Sequence, residues 1–250
     1  MTTATTPITS QLRAAWQAGC GLIWPVSCPG CGRPDVAICA DCRGSVAGPG
    51  FSTPMVGWPL GWGAWAACGY RGPAARLLIA WKERGRHDLS RPLGVGLGAA
   101  VRACRRARAD PYREWLLVPI PSTRAANRHR GRDLMADLSR QAALACGRSW
   151  TGPPPRSVNV LRHARGVRDQ GELGAAARRA NLRGALTVRS AVGTSLVGRD
   201  CVVVDDIVTT GTTAAEAARA LTAAGARVVG HCFLSVTLRQ QGLADGVPLH

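Results

Sequence analysis

Two adjacent carboxylates, Asp205 and Asp206, separate an apolar run from a stretch of small hydroxyl residues in a chain of 250 residues. The run Cys201-Val-Val-Val204 has the length and β-branching of a short buried strand. After the acids come Thr209-Thr210-Gly211-Thr212-Thr213. Ala214 to Ala224 then has a helical composition, and Gly225 is placed to end it. Strand, acidic pair, loop and helix together make a cradle for a phosphorylated sugar. Backbone N–H groups and hydroxyls at a helix N-terminus can surround a phosphate, helped by the helix dipole. Ionised carboxylates accept hydrogen bonds from vicinal sugar hydroxyls. They would repel a phosphate, so the acids should face the sugar. The plainer alternative is a βα turn with acidic caps, but a cap needs only one acid.

A second constellation is Cys28-Pro-Gly-Cys31 and Cys39-Ala-Asp-Cys42. Each C-x2-C turn can aim two thiolates at one ion, and two such turns complete a tetrahedral site. The short spacer predicts a compact ribbon. Structural zinc is favoured over an iron–sulfur centre or a redox pair, because nothing nearby points to electron transfer. Cys20, Cys68, Cys104, Cys146, Cys201 and Cys232 lie among apolar residues and read as small core hydrophobes.

The elements that position these groups can be followed along the chain. Thr6-Pro7 is a good helix start, and Ile8, Leu12 and Trp16 share a face. Residues 46 to 63, rich in Gly and Pro, read as a linker. Ala64 to Tyr70 reads as a strand. A helix carrying Leu77, Leu78 and Trp81 follows, and a second runs from about Leu93 to Arg108. The run Arg102, Arg105, Arg106, Arg108 reads as a solvated helix end, where cations are electrostatically natural. Trp115 to Pro121 is the next strand, followed by a basic segment and a helix from about Asp133 to Cys146. Val158 to Leu161 reads as a short strand, and Arg162 to Gly171 as a long polar stretch in which His163 is an exposed loop residue. A helix to about Arg179 comes next. Gly225 to Thr237 supplies the last strand, and the tail beyond Gln240 reads as frayed. Strands alternating with helices from residue 115 onward predict an α/β fold with a doubly wound parallel sheet.

The charge of +17 comes from 32 basic and 15 acidic residues, and Lys82 is the only lysine among the basic ones. Such a balance attracts polyanions: nucleic acid, nucleotides or a substrate with several phosphates. No RNA- or DNA-binding motif accompanies it, so single-stranded DNA remains an open partner. No apolar run approaches membrane-spanning length, and the N-terminus lacks the features of a secretory signal. A cytoplasmic location is the default expectation.

Residues 201–213 resemble the PRPP-binding signature of type I phosphoribosyltransferases. The resemblance implies a catalytic pair, Asp205 and Asp206, on the ribose hydroxyls. It places Thr209, Thr210, Gly211, Thr212 and Thr213 on the 5′-phosphate, with Mg²⁺ accompanying PRPP. The whole order of parts is similar to the ComF family of competence-associated proteins, from about Leu22 to Thr237. Leu22-Ile-Trp-Pro25 and the first cysteine pair resemble that family's zinc entry. Val118-Pro-Ile-Pro121, Arg124 and Arg130-Gly131 resemble its pyrophosphate-loop region, which implies leaving-group contacts from Ser122, Thr123 and Arg124. Gln170, Leu173, Arg179, Asn181 and Leu182 resemble its hood segment, and Arg162, Arg165, Arg168 and Gln170 could fold over the ligand as a mobile loop, the alternative being a disordered basic loop. One departure is Arg130-Gly-Arg-Asp133, where the family has Arg-Gly-Phe-Asn. The resemblance implies a helix and zinc ribbon over 1–48, a linker and helical subdomain over 49–114, a phosphoribosyltransferase-like domain over 115–240 and a tail over 241–250. It also implies partners in competence or recombination.

Overall fold

The computed structural model describes residues 26–53, 63–108, 113–147, 150, 152–164, 184–190 and 194–237. The helix expected after Thr6, Cys20, Leu22 to Pro25, the centre of the Gly/Pro segment, Arg165 to Leu182 with Gln170, and the tail lie outside the described residues.

Among the described residues there are eight strands: β1 (Phe51–Ser52), β2 (Ala64–Gly69), β3 (Trp115–Pro119), β4 (Arg156–Ser157), β5 (Leu161–His163), β6 (Leu186–Val188), β7 (Asp200–Val208) and β8 (Arg227–Val236). The helices are α1 (Ala40–Gly44), α2 (Gly72–Glu83), α3 (Ser90–Arg106), α4 (Arg124–Arg130), α5 (Leu134–Gly147) and α6 (Thr212–Ala223). One sheet has the order β1-β2-β8-β7-β3-β4, parallel throughout except at β1. β5 and β6 form a separate antiparallel ribbon. β2 falls inside the 49–114 segment, so the sheet extends N-terminal of residue 115.

Sequence runs buried on both sides account for the two cores. Val202 and Val204 of β7 pack with Trp115, Leu117 and residues of α2, α3 and α5. Cys201 and Val203 pack on the other face with Ala217, Ala220 and Leu221 of α6. Alternate side chains of one strand therefore feed opposite layers. Glycines set how closely the first layer packs. A Cβ at Gly94 would lie 2.2 Å from Gln141 Cβ of α5, and one at Gly96 would lie 2.0 Å from the Val46 carbonyl oxygen. These positions lose helix propensity and gain close approach of two backbones.

Several local expectations change. Residues 46–53, read as linker, are packed: Val46 is fully buried and β1 pairs with β2. The α3 arginines are not simply solvated. Arg102 donates to the Ala145 carbonyl at 3.2 Å and Arg106 to Pro49 at 3.3 Å. The Arg105 guanidinium stacks 4.7 Å from Trp115 and 5.0 Å from Trp150. Val158 to Val160 is not a strand; the pairing falls on 156–157 and 161–163. Cys104, Cys146, Cys201 and Cys232 are buried, as their apolar neighbours predict.

Candidate functional site

The chain steps from β3 outward to β4, then returns to place β7 on the other side of β3. Parallel sheets place their ligand crevices at such a reversal, beyond the carboxyl ends of the strands, here β3 and β7. Ser122 to Arg124 leave β3 at this end, and Asp205 to Thr213 leave β7.

β7 is longer than Cys201 to Val204, and both acids lie within it. β3 pairs only as far as Pro119 with Val204. Asp205 is half-buried and its Oδ1 accepts from the Asp206 amide at 2.9 Å. Burial, and next the adjacent Asp206 charge, push the Asp205 carboxyl well above its ordinary range. Asp206 is buried, and its Oδ2 meets Lys82 Nζ at 2.6 Å. Lys82 is the second-last residue of α2. That helix is seated by Leu77, Leu78 and Trp81, all in the core cluster that holds Val202 and Val204. Lys82 balances Asp206, and Asp205 is held toward its neutral form until a cation joins it. This set suits sugar hydroxyls and a cation carried in with a ligand, which is where Mg²⁺ would fit.

The hydroxyl loop is tight. Gly211 has φ +72°, and it occupies the N-cap of α6 without a side chain to cap the first turn. Only glycine adopts this left-handed geometry without strain. The first-turn amides of α6 are thereby open to an anion. Thr209 and Thr210 are exposed, and Thr212 and Thr213 begin the helix. Thr210 Oγ1 and Thr212 Oγ1 lie 2.9 Å apart.

On the β3 side, Thr123 caps α4 by accepting from the Ala126 amide at 3.2 Å. Thr123 and Arg124 are exposed and Ser122 is half-buried at the strand exit. Arg130, which the resemblance sets in the pyrophosphate-loop region, turns to α2 instead. Its Nε donates to the Lys82 carbonyl at 2.9 Å and its Nη2 meets Glu83 at 3.0 Å. Asp133, which departs from the ComF pattern, caps α5 through the Ala136 amide at 3.0 Å. His163 is not an exposed loop residue. It is half-buried in β5 with Nε2 3.0 Å from the Pro121 carbonyl oxygen. Arg162 lies beside it, paired with Thr187 of β6. The β5–β6 ribbon is tied to α6 by Glu216, which accepts from the Leu186 amide at 3.2 Å.

The four cysteines converge. All their sulfurs lie within 4.8 Å of one another, with Cys39 Sγ 3.8 Å from Cys28 Sγ and 3.6 Å from Cys31 Sγ. Four thiolates at about 2.3 Å from one tetrahedral ion lie about 3.8 Å apart, so the set fits a metal such as zinc. The first pair sits on a turn closed by Gly32 donating to the Cys28 carbonyl at 2.8 Å. The second pair spans the start of α1, with Cys39 as N-cap. Burial acts to raise the Cys28 thiol. Backbone N–H groups of Cys39, Gly30 and Cys31 outweigh it and bring the group down to about 6. Burial and the neighbouring sulfurs push Cys42 up. Sulfurs this close cannot all ionise until a cation joins them.

Residues 169–244 match the phosphoribosyl transferase domain family. The match spans the acids, the hydroxyl loop and α6, and supports a type I phosphoribosyltransferase-like protein. No curated protein matches the chain. Among the described residues no helix is long and apolar enough to cross a membrane. Lys82 was legible only as the single lysine among 32 basic residues; its place at the acids depends on packing between segments far apart in the chain.

Proposed function

We propose that the chain binds Mg²⁺-PRPP in the β3/β7 crevice and transfers or senses 5-phosphoribosyl groups, as a ComF-type protein of the cytoplasm. The carrying observation is the paired acids at a switch point, followed by an uncapped helix start on a left-handed glycine. In this reading Asp205 and Asp206 accept the ribose 2′ and 3′ hydroxyls. The α6 amides and the hydroxyls of Thr209, Thr210, Thr212 and Thr213 hold the 5′-phosphate. Ser122, Thr123 and Arg124 face the diphosphate on C1, and Arg165 and Gln170 close over it, while Arg162, expected in the mobile loop, is held in β5. Transfer breaks the C1–O bond, the electron pair leaves with pyrophosphate, and an acceptor nitrogen lone pair forms the new bond. Bound Mg²⁺ supplies charge neutralisation on the diphosphate. The protein's part is positioning and exclusion of water. The four-cysteine lobe holds one structural zinc ion.

Calorimetry with PRPP, ribose-5-phosphate and inorganic phosphate tests this. Wild-type protein should bind PRPP in the presence of Mg²⁺. Gly211→Val should weaken all three ligands, because a β-branched residue resists positive φ and crowds the phosphate. Absence of PRPP binding at millimolar ligand would overturn the proposal.

A second reading, a competence or recombination accessory that binds single-stranded DNA, draws on the opposite end of the sheet, at the amino ends of β7, β8 and β3. There Arg113 and Arg227 flank Asp200 at 3.0 and 2.8 Å, while Arg156 and Arg199 meet Glu114. Four guanidinium groups against two acids suit a phosphate backbone. Binding should weaken steeply with salt and show little sequence preference. Affinity that is flat with salt would remove this reading.

A further inference from the structure

Lys82 joins the two halves of the crevice. Its ammonium meets Asp206 Oδ2 at 2.6 Å, and its carbonyl accepts from Arg130 of α4, the helix that follows the β3 exit loop. It therefore ties Asp206 to α4, the helix that begins at Arg124. It also comes from residues 72–83, outside the matched stretch 169–244.

An ammonium has three N–H donors. Among the described residues Asp206 is the acid that Nζ meets, and about a quarter of the Lys82 side chain is exposed. Donor capacity is thus left over at the ammonium. The residue type also bears on the role. This chain uses arginine at every other basic position, yet a compact point charge stands here. A single ammonium can hold one carboxylate oxygen and turn its remaining N–H groups to a second anion. A guanidinium also has several donors, but they are fixed in one plane, whereas the ammonium's can be turned to suit a second anion.

From this geometry we propose that Lys82 is a binding residue for the diphosphate of PRPP, keeping Asp206 with one N–H and giving the others to diphosphate oxygens. The inference rests on the PRPP reading and adds to it. The matched domain does not hold its ligand alone, because the N-terminal half of the chain supplies a cation at the leaving group. The juxtaposition also answers an electrostatic problem. A diphosphate on C1 would lie near the acids, and an ammonium already at Asp206 would offset the repulsion between these like charges.

The test compares ligands that differ only in the diphosphate. Wild type, Lys82→Met and Lys82→Arg are titrated with PRPP, inorganic pyrophosphate and ribose-5-phosphate in Mg²⁺, and thermal melts confirm that each variant folds. Lys82→Met should weaken PRPP and pyrophosphate roughly ten- to a hundred-fold, the range for lost charged hydrogen bonds. Ribose-5-phosphate should change by less than about three-fold, within the context scatter of a single contact. Lys82→Arg should recover part of the PRPP loss. Equal weakening of PRPP and ribose-5-phosphate would overturn the proposal, since Lys82 would then act only through Asp206. Unchanged PRPP affinity in Lys82→Met would overturn it too. Should Lys82→Met fail to fold, Lys82→Arg decides: a PRPP loss without a ribose-5-phosphate loss supports the proposal, and parallel losses or none overturn it. If wild type binds neither PRPP nor ribose-5-phosphate, the underlying PRPP reading has failed, a pattern distinct from failure at Lys82.

Discussion

Replacing Asp206 by Asn tests the site's energetics without any ligand. The amide keeps the carboxylate's shape and removes its charge, leaving Lys82 Nζ facing a neutral oxygen or nitrogen. Breaking a fully buried ion pair from one side costs about 3–5 kcal/mol. Here the acid is 9% exposed and the lysine 26%, so water reaches the stranded ammonium and the cost falls toward that of one charged hydrogen bond. That is about 1.5–3 kcal/mol. Asp205 offsets some of it, because the neighbouring charge that pushes its carboxyl up is removed. Lys82→Met alone should cost a similar amount by leaving Asp206 without its cation. The double variant strands neither charge, so the two losses should not add. Coupling of about 1–2 kcal/mol is expected for groups in direct contact. A destabilisation of 1.5–3 kcal/mol lowers the midpoint of a chain this size by about 3–12 °C. Urea titration of the four proteins of the cycle measures both quantities. Losses that add to within about 0.5 kcal/mol would refute the reasoning, since the pair would then be solvated and independent.

Two further outcomes can be checked directly. Elemental analysis should find one zinc ion per chain, and Cys39→Ser should lose it; iron in its place, or no metal under reducing conditions, would refute the assignment. His231, fully buried in β8, is lowered to about 4 chiefly by burial. Its unfolded form binds a proton at higher pH, near 6.5, so stability should fall as pH drops from about 6.5 to about 4. His231→Phe should flatten that slope, and a slope unchanged in pH-dependent melts would assign it to other groups.

The sequence made the acidic pair, the hydroxyl loop and the four cysteines legible because each is a short pattern whose local geometry carries its chemistry. β2, β3, β7, β8 and the larger helices were legible from composition and periodicity. Contacts between distant segments were not. Nothing near Arg130 indicates that it binds the end of α2, and nothing near Lys82 points to Asp206. The Gly/Pro content of residues 46–63 suggested a linker, yet glycine also permits close packing, and the described part of this segment lies against α3. The α3 arginines show the same limit. Their order along the chain suits a solvated helix end, and only the assembled sheet brings Trp115 and Trp150 to Arg105.

The place of β8 between β2 and β7 has a consequence for how the chain reaches this structure. β2 has β8 as its only parallel neighbour, and the two are separated by more than 150 residues of chain. Until β8 pairs with it, β2 has only the two-residue β1 beside it among the described residues. Loop closure over such a span is slow, and the open edges of β2 and β7 are meanwhile available to other chains. Refolding should be rate-limited by this pairing and should lose yield as protein concentration rises. A fragment beginning at residue 115 would keep the acids but leave the ten-residue, largely apolar β8 as a bare edge.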